Sequence, residues 1–274
     1  MSTLKISFII YKGMKILPRM TVKTKNEWNR ILMNLKSEFV RNLNLQEGQS
    51  VLVLCCGLGE EVFLIREMVG ETGQVVGIDI DKDLIAQAKN RIKDLGYTNV
   101  NFIVKDASDL GDYFGLFDRV CCLFGLHYFE YLEDTLYHWR KCLKYKKGIL
   151  GIAYWMDSYP NEIIDGIRRI TMSYIKGYKN YNDYNKRSKN NKKKRNTDIW
   201  NRVVQNNLEY SLHFENAINY WNLQKKNDFY KKVRKEIGEL KFQEMNIKIN
   251  LFLLSLQNPP LEERLKIKLV YAYN

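Results

Sequence analysis

Several features are missing from this 274-residue chain, and each absence removes a class of protein. No apolar run approaches the roughly 20 residues that a membrane-spanning helix requires, so no span is expected. The five cysteines, Cys55, Cys56, Cys121, Cys122 and Cys142, are odd in number, and none lies in a Cys-x-x-Cys pair. Most sit among apolar neighbours, which argues against a disulfide framework and for buried thiols in a reducing compartment. The first residues lack a signal-peptide pattern, because Phe8-Ile-Ile10 is too short and no small-residue cleavage site follows. Acid is also absent from Met1 to Asn26, where six Lys or Arg occur. A mitochondrial presequence is therefore the alternative to the expected cytoplasmic location.

Positive charge is what the chain has in excess, +13 overall. Much of it lies in Lys176–Arg195, where nine Lys or Arg accompany one acid, Asp183; without that stretch about +5 remains. The segment Gly177–Asn196 contains no aliphatic residue, so it cannot bury a face and reads as a solvated loop. A basic arm for nucleic acid, centred on Lys186–Arg195, is the competing reading. Nearly half of the remaining chain is apolar, enough for one large α/β domain with an elaboration or a small cap.

Hydrophobic periodicity then orders the chain. Thr24-x-x-Glu27 reads as a capping box opening a helix, along which Trp28, Ile31, Leu32, Leu35, Phe39 and Leu43 share a face. Val51–Cys56 is a continuous apolar run, as a strand buried on both faces of a parallel sheet should be. Helices follow over Glu60–Val69 and Lys82–Leu95, with Asp81 as N-cap and Gly96 just past the end. Gln74–Ile80, Val100–Val104, Phe117–Phe124 and Gly148–Tyr154 read as strands, with a helix marked by Leu132, Leu136, Trp139 and Leu143 before the last of them. Such alternation predicts a doubly wound, Rossmann-like, mostly parallel sheet whose ligand lies beyond the carboxyl ends of the strands. Helical patterns cover Ile163–Tyr174 and Ala217–Leu223 in an insertion after the fifth strand. Leu240–Leu251 and Leu265–Tyr273 alternate like strands joined through Asn258-Pro-Pro260.

The chemistry gathers at three strand ends. Cys56-Gly57-Leu58-Gly59 leaves the first strand, and its glycines permit a sharp turn and close ligand approach. The third glycine of a dinucleotide fingerprint is missing: Val62 stands there, after Glu60 and Glu61. Two carboxylates at a helix start would repel a pyrophosphate, whereas a cofactor carrying a sulfonium and an amino acid fits. Asp79 ends the second strand, where a carboxylate can accept both ribose hydroxyls. Asp106 follows the third, where an oxygen can accept from an exocyclic adenine amine.

With those residues in place, the chain resembles the class I S-adenosylmethionine-dependent methyltransferases, especially the small-molecule branch that includes ubiquinone/menaquinone C-methyltransferases and arsenite methyltransferases. The resemblance spans about Leu43 to Trp155. It rests on Val51–Gly59, Gly73–Ile80, Leu95–Phe102 with Asp106-Ala107, and Phe117–His127. It implies a seven-stranded sheet whose last strands form an antiparallel hairpin, with S-adenosyl-L-methionine as cofactor. Cys56, Gly57 and Gly59 would flank the methionine part, Asp79 with Ile80 the ribose, and Asp106 with Ala107 the adenine. It divides the chain into an extension and helix over 1–43, a cofactor core over 44–157, a helical insertion capping the substrate over 158–239 with the basic loop at about 177–197, and C-terminal strands over 240–274. Val53 stands where the family often has an acid, Cys55 where it often has glycine, and Lys144-Tyr-Lys-Lys-Gly148 replaces the usual Pro-Gly turn.

The expected activity is methyl transfer to a small molecule. Candidates for work on the acceptor are His127 and Tyr154, with Tyr128, Trp155 and Asp157 nearby in sequence. His127 titrates in a range that suits a base, and it equally suits a structural role capping the next helix. Tyr154 and Trp155 could stack an aromatic acceptor or contact the sulfonium, or belong to the core. The vicinal cysteine pairs could form a thiol cluster for a soft ion such as arsenite or zinc, but their apolar setting favours small core residues, and no metal site is expected. An RNA-directed enzyme using the basic arm and a non-catalytic cofactor-binding scaffold are the alternative functions. The acceptor and the oligomeric state are not legible.

Overall fold

The computed structural model describes residues 21–129, 131–145, 147–156, 161–175, 200–226 and 228–274. The basic arm over 186–195 lies outside them, as does most of the basic N-terminal stretch. The chain divides into two compact units. One comprises the described parts of Met1–Ile31, Met156–Lys194 and Glu209–Lys266; the other comprises those of Leu32–Trp155, Arg195–Leu208 and Ile267–Asn274.

The second unit is organised by a sheet. It holds β1 (Ser50–Leu54), β2 (Gln74–Asp79), β3 (Val100–Val104), β4 (Arg119–Leu123) and β5 (Ile149–Trp155), with 202–208 of β6 (Arg202–Phe214) and 267–273 of β7 (Leu261–Tyr273), in the order β3-β2-β1-β4-β5-β7-β6. The first five run parallel, and β7 pairs antiparallel with β5, from Ile149 against Tyr273 to Trp155 against Ile267. Because β1 neighbours both β2 and β4, the strand order reverses beside it, which is where a doubly wound sheet opens its ligand crevice. β1 is continuously apolar because both of its faces are covered: Val51, Leu52, Val53 and Leu54 are all buried. Trp139, fully buried, ties the layer above the sheet to its edge by donating Nε1–H to the Ala107 carbonyl at 2.9 Å. Each apolar side chain hidden this completely contributes roughly 1.5–3 kcal/mol.

Helices α1 (Val22–Asn42), α2 (Glu60–Val69), α3 (Lys82–Leu95) and α4 (Leu132–Lys141) flank these strands in the sequence. α3 is bounded as its residues predict: Asp81 Oδ1 accepts from the Asp83 and Leu84 amides, and Gly96 closes the helix at φ 68°. The start of α1 differs from expectation. Thr24 lies inside the helix rather than capping it, and Thr21 Oγ1 accepts from the Thr24 amide at 3.2 Å. Glu27 does not reach back to the cap; it receives the His213 amide and pairs with that ring. Farther along α1, Phe39 and Leu43 are buried, and a Cβ on Gly151 of β5 would stand 2.5 Å from Leu43 Cδ2. The helix lies flat on the sheet because that glycine leaves room.

The first unit contains α5 (Glu162–Tyr174), α6 (Ala217–Gln224), α7 (Asp228–Ile237) and α8 (Glu239–Ser255), with parts of β6 and β7. α8 corrects the strand expected over Leu240–Leu251. Its buried residues, Phe242, Met245, Ile249 and Leu253, recur at helical spacing, while Leu240, Ile247 and Leu251 are exposed. The strand beside β7 is instead β6, in a stretch whose pattern predicts only helices. Lys268 Nζ meets Gln205 at 3.1 Å, and Ser211 donates to Glu262, so β6 and β7 run antiparallel. The final pair of the sheet is thus antiparallel as expected, but α6 to α8 intervene between its strands rather than a tight turn. Within this unit Gly166 of α5 packs so closely on Phe252 of α8 that a Cβ would fall 2.2 Å from the ring.

Candidate cofactor site

The site is built in the second unit, where β1 stops. Cys55 (φ 54°), Gly57 (φ 54°) and Gly59 (φ 76°) all adopt the left-handed conformation, and the chain reverses from strand to α2 within five residues. The two glycines are needed for different reasons. A Cβ at Gly59 would fall 2.2 Å from Phe102 Cζ, so this glycine lets the helix start lie against β3. A Cβ at Gly57 would meet nothing within 4 Å. Gly57 therefore faces open space, the kind of backbone a ligand can approach.

Asp79, at the end of β2, faces that turn. Its Oδ2 accepts the Gly57 amide at 2.8 Å and its Oδ1 the Asp81 amide at 2.9 Å. A carboxylate oxygen has two acceptor positions, so each retains one, and two adjacent hydroxyls can use them. Ile80 follows, 71% exposed. Asp106, after β3, is exposed; its Oδ1 takes both the amide and the hydroxyl of Ser108, at 2.8 and 2.7 Å, which orients the carboxylate. Ala107 is buried. Cys56, Gly57, Gly59, Asp79, Ile80, Asp106 and Ala107 are thus all at or beside the carboxyl ends of β1, β2 and β3.

Sequence reasoning misses Lys36. This residue of α1 is buried, and its ammonium pairs with Glu60 and, at 3.1 Å, with Glu61, the first two residues of α2. Burial alone would lower the Lys36 pKa, but the charges and hydrogen bonds of Glu61 and Glu60 outweigh it and hold the group above the ordinary lysine value. Two acids against one lysine leave the cluster net negative. Asp79 and Asp106 add carboxylates at the neighbouring strand ends, and such a concentration of negative charge favours a cation over a pyrophosphate. The thiol of Cys56 is pushed far above its usual value by burial, then by Asp79 and Glu61. Burial first, then Glu61, does the same to Cys121.

The expected acceptor-side residues are placed unevenly. β4 is followed by Phe124 (φ 57°) and Gly125, and His127 belongs to the short 3-10 turn Leu126–Tyr128 after them. Tyr128 is 47% exposed. Tyr154 packs against the core that includes Cys122, Trp139 and Ile152. Trp155 is buried, stacked on Phe124 with centroids 4.4 Å apart and planes within 14°, an arrangement of core packing. Asp157 lies outside the described residues. Among the described residues no group of three or more His, Cys, Asp or Glu could hold a metal ion.

A glycine turn after the first strand, acids after the second and third, and a parallel sheet completed by an antiparallel strand define a class I S-adenosylmethionine-dependent methyltransferase. A family profile for a methyltransferase domain matches residues 45–236, and the chain belongs to that family. Relatives include the demethylmenaquinone methyltransferase of Oceanobacillus iheyensis, 31% identical over 103 residues, covering 36% of this chain and 43% of that protein. That of Lactococcus lactis is 37% identical over 79 residues, covering 29% and 31%. The chain therefore spans less than half the length of these curated relatives. Among solved structures, the YcgJ protein of Bacillus subtilis shares the fold with a TM-score of 0.52 at 14% identity, over 87% of this chain and 97% of that one. A phosphoethanolamine N-methyltransferase 2 from Haemonchus contortus, in complex with S-adenosyl-L-methionine, aligns with a TM-score of 0.50 at 13% identity, over 88% of this chain and 52% of that one.

Proposed function

We propose that the protein transfers the methyl group of S-adenosylmethionine to a small-molecule acceptor, with quinol-like aromatic compounds the first class to examine. The observation that carries the reading is the pair of unused acceptor positions on Asp79 beside the open backbone of Gly57. Bound there, the cofactor supplies a sulfonium-activated methyl group for in-line displacement. Everything else falls to the chain. Asp79 accepts from the two ribose hydroxyls, Asp106 accepts from the adenine amine, and Ile80 and Ala107 flank the adenosyl group. Cys56, Gly57 and Gly59 line the amino-acid end. Lys36, buried and paired with Glu60 and Glu61, steadies the start of α2 on the amino-acid side of the same turn.

Displacement at a sulfonium needs alignment and exclusion of water more than a strong base. His127 and Tyr154 are the residues we assign to proton handling where the acceptor must lose a proton. Demethylmenaquinone methyltransferases match 36% of this chain, which favours an aromatic acceptor. No described helix is long and apolar enough to cross a membrane, and five free cysteines fit the reducing cytoplasm. Incubation with methyl-labelled S-adenosylmethionine and a panel of quinols, phenols and small amines tests the proposal. Label on at least one small molecule, lost in Asp79→Ala, is the expected result. Cofactor binding without transfer to any of them, or transfer to RNA alone, would overturn it.

A further inference from the structure

We propose that Cys55 and Cys122 are a redox-active pair, closing to a reversible disulfide at the root of the cofactor turn. Cys55 adopts φ 54°, a conformation that costs a residue with a side chain about 1 kcal/mol. What the side chain gains is a neighbour. Cys122 is opposite Leu54 in the β1–β4 register, one residue short of Cys55. Strand spacing and rise put the two α-carbons roughly 6 Å apart, inside the window of about 4.4–6.8 Å that a disulfide spans. Both sulfurs also point into one space. A Cβ built on Gly125 would lie 2.7 Å from Cys55 Sγ and 2.7 Å from Cys122 Sγ. Gly125 is glycine because the two thiols fill the volume its side chain would need.

The other thiols are placed differently. Cys56 turns to the β2 side, where its sulfur lies 3.0 Å from a Cβ built on Gly77. Cys121, Cys122 and Cys142 are all fully buried, and burial pushes the Cys142 thiol up to about 12. Cys55 alone of the five is partly exposed. A hydroperoxide reaching the crevice therefore meets Cys55 first. Its sulfur attacks the peroxide, the O–O bond breaks, and Cys55 becomes a sulfenic acid with release of one water or alcohol. The Cys122 sulfur then displaces the sulfenic oxygen, which leaves as water carrying the Cys122 proton. Two thiols are oxidised by two electrons and the peroxide is reduced by two. A dithiol reductant reverses the change by exchange.

The pair can be tested on the whole protein by titrating hydrogen peroxide and reading intact mass and cross-linked peptides. The expected product has lost two hydrogens, regains them with dithiothreitol, and disappears in both Cys55→Ser and Cys122→Ser. Cys56→Ser and Cys121→Ser keep it, and circular dichroism confirms that each variant is folded. A cross-link that survives Cys122→Ser, or oxidation that stops at Cys55 sulfinic acid with Cys122 still reduced, overturns the proposal. One consequence rests on the function proposed above: saturating S-adenosylhomocysteine should cover Cys55 and slow cross-linking by roughly tenfold or more. An unchanged rate in a sample that calorimetry shows to be saturated refutes that cover. If calorimetry shows no binding at all, it is the cofactor assignment that fails, and the peptide map still decides the pair.

Discussion

The two ends of one sheet use their polar residues in opposite ways. At the amino ends of β1 and β4, Asp118 and Arg119 are consumed by the fold. Asp118 Oδ2 takes the Ser50 amide, the Ser50 hydroxyl and the Lys144 ammonium, all within 2.9 Å. Arg119, buried, donates to the carbonyls of Leu43, Asn44, Asp118 and Lys147. At the carboxyl ends, a few residues along the same strands, the backbone is left-handed at Cys55, Gly57, Gly59 and Phe124. There Asp79 and Asp106 keep acceptor positions that the fold does not use. Polar groups are spent at one end and left available at the other. Such a division is what the crevice rule for open α/β sheets requires, since a ligand can use only groups that folding has left unspent.

The comparison breaks if the ends behave alike under mutation. The largest expected effect is at the amino end. Arg119→Met removes the donor to four carbonyls and should cost about 3 kcal/mol of stability, read as a lower urea midpoint. The folded fraction should still bind S-adenosylhomocysteine normally. Lys36→Met, near the carboxyl end, leaves Glu61 partly buried without its cation. It should weaken S-adenosylhomocysteine by about tenfold while leaving the affinity for 5′-methylthioadenosine, which lacks the amino acid, nearly unchanged; calorimetry with both ligands separates the two.

The smallest effect is a pH signature. Burial would raise Asp118, but the hydrogen bond from Lys144 and those from Ser50 outweigh it and hold the carboxyl below its ordinary range. A group lowered in the folded state stabilises above its unfolded value, about 3.9, and loses that contribution as pH falls through the folded value. Asp118→Asn should therefore be less stable than wild type by about 1 kcal/mol at pH 7, with the gap closing below about pH 4. A gap that persists under acid would show that the carboxylate charge is not what matters.

Much of this division is legible in the order of the residues alone. The continuous apolar run Val51–Leu54, the Asp81 cap and the Gly96 terminus are local signals, and they locate β1 to β3 and α3 closely. The glycine turn and both acids follow from those strand ends. What escapes is whatever depends on distant partners or on ambiguous rhythm. Lys36 meets Glu60 and Glu61 across 24 or more positions, and no local pattern marks it. α8 mimics a strand because Leu240, Phe242, Ile247, Ile249 and Leu251 alternate over short stretches. The phase slips between Phe242 and Ile247, and only the longer set from Phe242 to Leu253 settles the helix. β6 carries its own alternation in Leu208, Tyr210, Leu212 and Phe214, masked by the polar run Gln205-Asn-Asn207. The nearness of the cysteine pairs is legible from the implied strand order; which two sulfurs share a space is not, because that turns on Gly125.

Calorimetric titration of S-adenosylhomocysteine into wild type, Asp79→Ala and Asp118→Ala asks whether the carboxyl end holds the cofactor through Asp79. Micromolar binding is expected for wild type and for folded Asp118→Ala, with a loss of about a hundredfold in Asp79→Ala, the weight of two charge-assisted hydrogen bonds. No binding to folded wild type, or equal losses in the two variants, would contradict it.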